Sequence, residues 1–566
     1  MERNAYLQQV ESLWEKNWPE GMPREVVYPE GEILMTDYLR RRAQQTPDKP
    51  CVIYYGAEMT FRQLDDYSDR FAACLAGRGL EKGDRVAVFM PNCPQFLIAF
   101  YGILKLGCIH VPVNPLFKEA EFVYEIQDAG PKAIVALDLL YSLVSATREQ
   151  TGLEVVFSTS LTDWVPEAPE FPIPDLARIP RQQCPGSEDL MTVIRDEAGS
   201  CPEVEVGLDD IAALNYTGGT TGMPKGCEHT QRDMVYTAAC GATFALGDPA
   251  GDDVLLTYLP VFWIAGEDAG VLAPVLSGVT DVLMIRWDAA AVLDAIPKYR
   301  VSIMYGLVDN MAELMDNPDV EKVDFSSLRE TLVSSFVKKL NTDYRRQWQA
   351  LTGTVMRESS YGMTETHTLD TFTAGMQKDD MDLASRPIFV GLPMPGTRFM
   401  VVDFVSGQPL PFNQEGEILV QTPSLMKAYW NKPEETARQL ADGWLHTGDI
   451  GMIDDHGYLT YLGRSKEMLK VKGMSVFPSE VENLLGRHPA IVGSAVLGRS
   501  DAEKGEVPVA FIQLSPDRAG DMGEADLQAW CRENMAGYKV PEIRIVEELP
   551  LTATGKVKKE DLKERL

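Results

Sequence analysis

The chain has 566 residues, 45% apolar and 24% charged: the composition of a soluble globular protein too long for one ordinary core, so two or more domains are expected. Its 84 acids against 53 bases leave a formal charge of −31, which speaks against nucleic acid and against an anionic membrane surface as partners. The nine cysteines are odd in number and form no CxxC pair, so they read as reduced thiols of a cytoplasmic chain rather than a disulfide framework.

The opening MERNAYLQQVESLWEK has neither the basic start nor the apolar stretch of a signal peptide. RVAVFM then reads as a strand, followed by the helix-like PQFLIAFYGILKLG. Lys105, His110, Gly102 and Gly107 interrupt this very apolar window, which predicts a buried helix running into a strand, not a membrane span. CIHVPVN, KEAEFVYEIQDAG and KAIVAL continue the alternation. The stretch from about 160 to 205, rich in Pro and acids, reads as an irregular surface excursion. DVLLTYLP, GVLAPVLSG, DVLMI, AAAVLDAIPKYR and VSIMYGL then resume the strand–helix order. Continuously apolar strands alternating with helices predict parallel sheets covered on both faces.

From about 397 the pattern changes to β-runs joined by Gly, Pro and Asn (RFMVVDFVSGQPLP, GEILVQT), which predicts a smaller β-rich subdomain. Near GRSKE, 463 to 467, it changes again, and SAVLG, PVAFIQL and ADLQAWCREN suffice for a small separate domain. The fold class is α/β: a large N-terminal domain of parallel-rich sheets flanked by helices plus a β-rich subdomain, residues 1–463, then a small α+β domain, 464–566.

YTGGTTGMPKG, residues 216–226, has the composition of a phosphate loop. It is not a Walker loop. Pro224 precedes Lys225 and removes a backbone donor, and Gly226 and Cys227 follow the lysine where Ser or Thr should stand. Gly218, Gly219 and Gly222 allow close backbone approach, and Thr217, Thr220 and Thr221 add hydroxyls. Alone, the stretch is either a Gly/Thr turn or an anion-binding nest.

Four more motifs follow in order: YGMTET at 361–366, DGWLHTGDIG at 442–451, GRSKEMLKVKG at 463–473 and TATGK at 552–556. With the loop, this series resembles the adenylate-forming superfamily of acyl-CoA synthetases, luciferases and nonribosomal adenylation domains, with fatty-acid and related acyl-CoA ligases nearest. The resemblance covers nearly the whole chain, from MTFRQLDDYSDRFAACL and GDRVAVFMPNCP onward. It implies that the C-terminal domain is a mobile lid on a hinge. It also implies ATP-dependent formation of an acyl-adenylate, then transfer to the thiol of CoA, with Mg2+ as metal.

The implied site residues are carried over motif by motif. Lys556 would bridge carboxylate and α-phosphate, although a solvated tail lysine is the bland alternative beside Lys558, Lys559 and Lys563. Glu365, with Thr217, would hold magnesium, a hard cation that prefers oxygen ligands. The loop residues Thr217, Gly218, Gly219, Thr220, Thr221, Gly222 and Lys225 would receive the β- and γ-phosphates. Tyr361 would pack on adenine beside Gly362, and Thr364 would reach phosphate. Asp449 would accept from both ribose hydroxyls with Arg464 adding a ribose contact, where the plain reading is an ion pair between strands. Lys466 would be the hinge, and Gly473 would leave room for a pantetheine arm. Cys227 has no activating neighbour and reads as packing.

The sequence departs from the family at four places. Gln231 stands where many members have histidine, and Trp263 stands at the aromatic gate. Ser335, Phe336 and Val337 replace a small Gly-Gly-Ala stretch, which predicts a shortened or reshaped acid tunnel. Glu267 and Asp268 follow the gate; buried acids need partners, so they are exposed or face something polar or cationic. Medium-chain, branched, aromatic and polar acids therefore stand beside long-chain ones. The expected partners are the acid, ATP and CoA, with a homodimer allowed. An enzyme passing its acyl group to a carrier protein or amine shares every motif; the ten residues after Lys556 favour CoA. A binding protein that kept the fold without catalysis is opposed by Lys556, Glu365, Asp449 and Arg464.

Overall fold

The computed structural model describes residues 2–196, 199–217, 223–244, 252–384, 388–471, 474–501, 505–516, 518, 522–552 and 555–566. Two seven-stranded sheets, parallel but for one edge pair each, hold the main core. One runs Met356–Glu358, Glu330–Ser334, Ile303–Leu307, Val254–Thr257, Thr280–Leu283, Pro50–Tyr54, Ala57–Thr60. The other runs Glu188–Asp189, Val155–Thr159, Ala133–Leu137, Arg85–Phe89, Ile109–Pro112, Ile211–Tyr216, Gly226–Thr230. Val282 and Met304 of the first join Val86 and Val135 of the second in one cluster with the helices between them. The sequence alternation predicted this arrangement, because strands covered on both faces must be apolar throughout.

The helix Pro94–Lys105 is buried at all twelve positions. A helix apolar all round belongs in a core. Its one charge, Lys105, ends 2.5 Å from Asp65 and 2.6 Å from Asp69, one turn apart on the helix Phe61–Gly77. No helix among the described residues is long and apolar enough to cross a membrane.

The 160–205 stretch is more than a surface excursion. It supplies the edge strand Glu188–Asp189 and the helix Leu190–Asp196, and its Phe171 is buried with the ring centroid 4.8 Å from that of Tyr55. Proline and acid content marks irregular backbone but says nothing of which apolar side chains find partners far along the chain.

The β-rich part is an antiparallel sheet that begins at Thr371, ahead of the expected 397. Its order is Thr371–Phe372, Ile388–Pro393, Leu459–Arg464, Trp444–Ile453, Gly416–Gln421, Arg398–Val402. The helix Arg3–Asn17 closes it: Tyr6, Val10 and Trp14 enter its core, and Trp14 Nε1 donates to Gly457 O at 2.9 Å, 443 residues away.

A fourth sheet of five strands follows: Met474–Val476, Leu469–Val471, Gly505–Leu514 and Ile491–Asp501, with Glu542–Val546 paired parallel to Gly505–Leu514. It rests on the segment that follows Glu330–Ser334. Val337 packs into a cluster with Ala495, Leu497 and Leu549, and a Cβ on Gly493 would lie 2.7 Å from its Cγ1.

Candidate active site

The strand Ile211–Tyr216 ends at the loop. Thr217 N donates to Lys225 O at 2.9 Å, and Lys225 N donates to Thr217 Oγ1 at 3.2 Å, so the two residues tie the loop's ends together. Gly218, Gly219, Thr220, Thr221 and Gly222 lie outside the described residues, as does Gly473. Lys225 Nζ stands 4.1 Å from the centroid of the Tyr429 ring, a cation–π contact. Tyr429 Oη in turn donates to Glu365 Oε1 at 2.7 Å. Tyr429, which the sequence reading did not single out, thus joins the lysine of one motif to the carboxylate of another. Its KAYWNK context carries no local signal of that role.

YGMTET turns sharply. Glu365 lies in the short 3₁₀ turn Thr364–Thr366, and the Thr364 carbonyl accepts from His229 Nε2 at 2.7 Å, which makes Nε2 the protonated nitrogen. Gly362 has no alternative: a Cβ there would overlap the Thr368 carbonyl oxygen. Thr368 and His367 hold φ of 77° and 56°, a strained pair just behind the motif.

Asp449 and Arg464 face each other across adjacent strands, with Arg464 Nε 2.9 Å from Asp449 Oδ1. Tyr361 Oη donates to Asp449 Oδ2 at 2.7 Å. The Asp449 carboxylate is 2% exposed, and among the described residues its Oδ1 has that ion pair with Arg464 but accepts no well-aligned hydrogen bond. Burial raises its pKa, and Arg464 pulls against that rise.

Lys556 reaches the same place from the far end of the chain. The residue is exposed overall, but its ammonium stands 4.9 Å from the centroid of the Phe336 ring. Desolvation by the surrounding protein and then Arg464 hold its pKa below the lysine value, against upward pulls from Asp449 and Glu467. Lys466 is exposed in the turn Ser465–Glu467, and Lys559 binds Glu467 and Glu482 at 2.8 and 3.1 Å.

Residues 335–337 take three different places. Ser335 caps the Glu358 carboxylate, its N and Oγ donating at 2.9 and 2.7 Å, whereas Phe336 lies under Lys556 and Val337 enters the fourth sheet's cluster. None of the three lines the cavity beside the site. That cavity, about 50 Å³, lies between the first sheet and the helix Gln231–Phe244 and is bounded in part by Ser359 and Ser360, which lead directly into Tyr361. A wider depression of about 290 Å³ by Val507, Arg532 and Glu542 holds none of the motif residues.

Trp263, half-buried, opens the turn that carries the two acids: its carbonyl accepts from Glu267 N at 2.7 Å. Both acids are buried. Glu267 Oε2 accepts from Asn215 Nδ2 at 3.2 Å and lies 3.7 Å from His110 Nε2. Burial takes His110 down to about 3 and Glu267 up to about 8, so near neutrality this is a contact between neutral groups, not an ion pair. Gln231 is buried, its Oε1 unpartnered among the described residues. Cys227 is fully buried and its thiol is pushed up by desolvation.

Two parallel-rich sheets, an antiparallel sheet and a small C-terminal sheet, with separate motifs gathered between them, define a class of protein that comparison makes specific. The chain belongs to the AMP-binding enzyme family, which matches residues 39–430, with that family's C-terminal domain matching 480–556. It is 32% identical to a long-chain-fatty-acid–CoA ligase of Bacillus subtilis (strain 168) over 564 residues, 97% of each chain. It is 30% identical to 4-coumarate–CoA ligase 1 of Solanum tuberosum over 549 residues, 95% of each. Among solved structures it resembles the anthranilate CoA ligase AuaEII in complex with anthranoyl-AMP, with a TM-score of 0.81 and 28% identity, covering 94% of this chain and 97% of that one.

Proposed function

We infer that this chain is an ATP-dependent, AMP-forming acid–CoA ligase. A carboxylate oxygen attacks the α-phosphate of ATP, pyrophosphate leaves, and the acyl-AMP then yields its acyl group to the CoA thiol with release of AMP. The observation that carries the reading is the meeting of Tyr361, Asp449, Arg464 and Lys556, drawn from well-separated stretches, at one place.

The chemical obstacle is charge. Two unit charges about 4 Å apart repel by roughly 4 kcal/mol at an effective dielectric near 20. Lys556, whose ammonium is desolvated but electrostatically tied to Asp449, is suited to stand between carboxylate and α-phosphate. Asp449 Oδ1, which accepts no well-aligned hydrogen bond among the described residues, keeps acceptor capacity beside Arg464 for a ribose hydroxyl, and Gly362 supports the turn that presents Tyr361. Lys225 and the loop it closes are suited to the outer phosphates. Glu365 with Thr217 would hold Mg2+, whose bound charge would offset that of the phosphates; one carboxylate beside substrate phosphates is an ordinary magnesium setting. In the second half-reaction the segment from Arg464 to Gly473 would turn toward the site about Lys466, so the unit boundary at 463/464 belongs to this reading.

The test is pyrophosphate release with ATP, Mg2+ and a graded panel of carboxylic acids, with and without CoA, products identified by mass. CoA-dependent acyl-CoA supports the reading. Adenylate that never passes to CoA moves the acceptor to a carrier protein or amine.

A further inference from the structure

The cavity beside the adenylate site contains a group that an alkyl tail would not require. Asp268 lines it, is 6% exposed, and its Oδ1 has no hydrogen-bond partner among the described residues. Neighbouring Glu267 is fully buried, its Oε1 also unpartnered among the described residues. The cavity lining includes no Lys, Arg or His. Leaving a buried carboxyl without a donor is destabilising, and more so if it is charged.

Local structure is adapted to keep it there. Residues Asp268–Leu272 form a π-helical turn between the helices Ile264–Glu267 and Ala273–Ser277, an irregularity frequent at functional sites. Opposite stands Gly241, interior to the helix Gln231–Phe244, where glycine is disfavoured relative to alanine. A Cβ there would come within 3.2 Å of Asp268 Oδ2, so the glycine makes room for the carboxyl. Tyr305 also borders the cavity, with its hydroxyl 3.1 Å from Ser334 Oγ.

We propose that Asp268 selects the acid: the substrate of this chain is a short carboxylic acid whose tail bears an ammonium group, received by the Asp268 carboxylate. This rests on the ligase reading above and names its substrate class. An ammonium supplies the donors that Asp268 lacks. The consecutive acids oppose an anionic tail, and the ring of Tyr305 is compatible with a cation. The small volume limits the tail to a few carbons in this conformation. With the tail absent, burial drives the Asp268 pKa well above the usual carboxylate range, so the empty site protonates rather than holding a bare charge.

The experiment compares kcat/KM for acyl-CoA formation on three matched series, ω-amino, ω-hydroxy and unsubstituted acids of three to eight carbons, for the wild type, Asp268→Asn and Asp268→Leu. The wild type should favour ω-amino over unsubstituted acids by about 10⁴-fold, as expected when a site built to bond a polar group meets the analogue that lacks it. Asp268→Leu should reverse that order while retaining turnover of unsubstituted acids, and Asp268→Asn should lose the amino preference. A thermal melt of each variant, with ATP–pyrophosphate exchange on the acid it turns over best, separates misfolding from changed selection. A wild-type preference for unsubstituted or hydroxy acids overturns the proposal and leaves the ligase reading intact. Unchanged selectivity in both variants overturns it as well. Silence of the wild type on every series, with turnover of another acid from the graded panel, overturns this inference and leaves the ligase reading intact; silence on that panel too removes both.

Discussion

At the scale of single residues, Lys556 is the most exacting test of the site. Lys556→Ala should nearly abolish pyrophosphate release while thiol transfer from preformed acyl-adenylate changes far less. Equal loss in both half-reactions, with the fold retained, would contradict the division of roles. The sign of its pH dependence follows from its surroundings. Its pKa is lowered, by desolvation first and Arg464 second, so the ammonium loses its proton at a lower pH than an ordinary lysine. Adenylation should therefore fail on the alkaline side before a free lysine would titrate, and Lys556→Arg, which stays charged, should move that limb upward in a pH–rate profile. Phe336 acts through the same lysine. Phe336→Leu removes the face beneath the ammonium and should slow adenylation by about threefold to tenfold without changing which acid is preferred. A changed acid profile would return Phe336 to the tunnel wall.

Whole elements show where sequence was informative. The twelve buried positions of Pro94–Lys105 were legible because Gln95 is the one polar residue in an otherwise apolar run before the last residue. The motifs of Glu365, Asp449, Arg464 and Lys556 were legible because each is a short contiguous string. What joins them was not: Tyr429 between Lys225 and Glu365, and Phe336 beneath Lys556, are contacts set by tertiary packing with no local signature. The π-helical turn at Asp268 was equally hidden, since one extra residue in a helical turn leaves the apolar pattern readable as a plain helix. The segment after Glu330–Ser334 is the element on which the fourth sheet rests. Val337→Asp would put a charge into the cluster of Ala495, Leu497 and Leu549. It should make the chain cut faster by protease near the turn Ser465–Glu467 and slow pyrophosphate release, with the two large sheets unaffected by circular dichroism. An unchanged cutting pattern would mean that Val337 does not govern this docking.

For the molecule as a whole, the charge of −31 acts on every ligand before any contact forms. ATP and CoA are anions and approach against that field, so raising the salt concentration should quicken ATP binding in stopped-flow measurements. A cationic-tailed acid should be slowed by the same salt. Binding rates that fall for ATP would show that a local basic funnel outweighs the total charge.

The bond from Trp14 to Gly457 carries a consequence in time. Its partners stand 443 residues apart. At the pace of synthesis, about 5–20 residues per second, the helix Arg3–Asn17 leaves the ribosome roughly 20 to 90 s before its sheet exists. For that interval Tyr6, Val10 and Trp14 have no native surface to cover, and the nascent chain depends on chaperones or on its own earlier sheets to keep them from strangers.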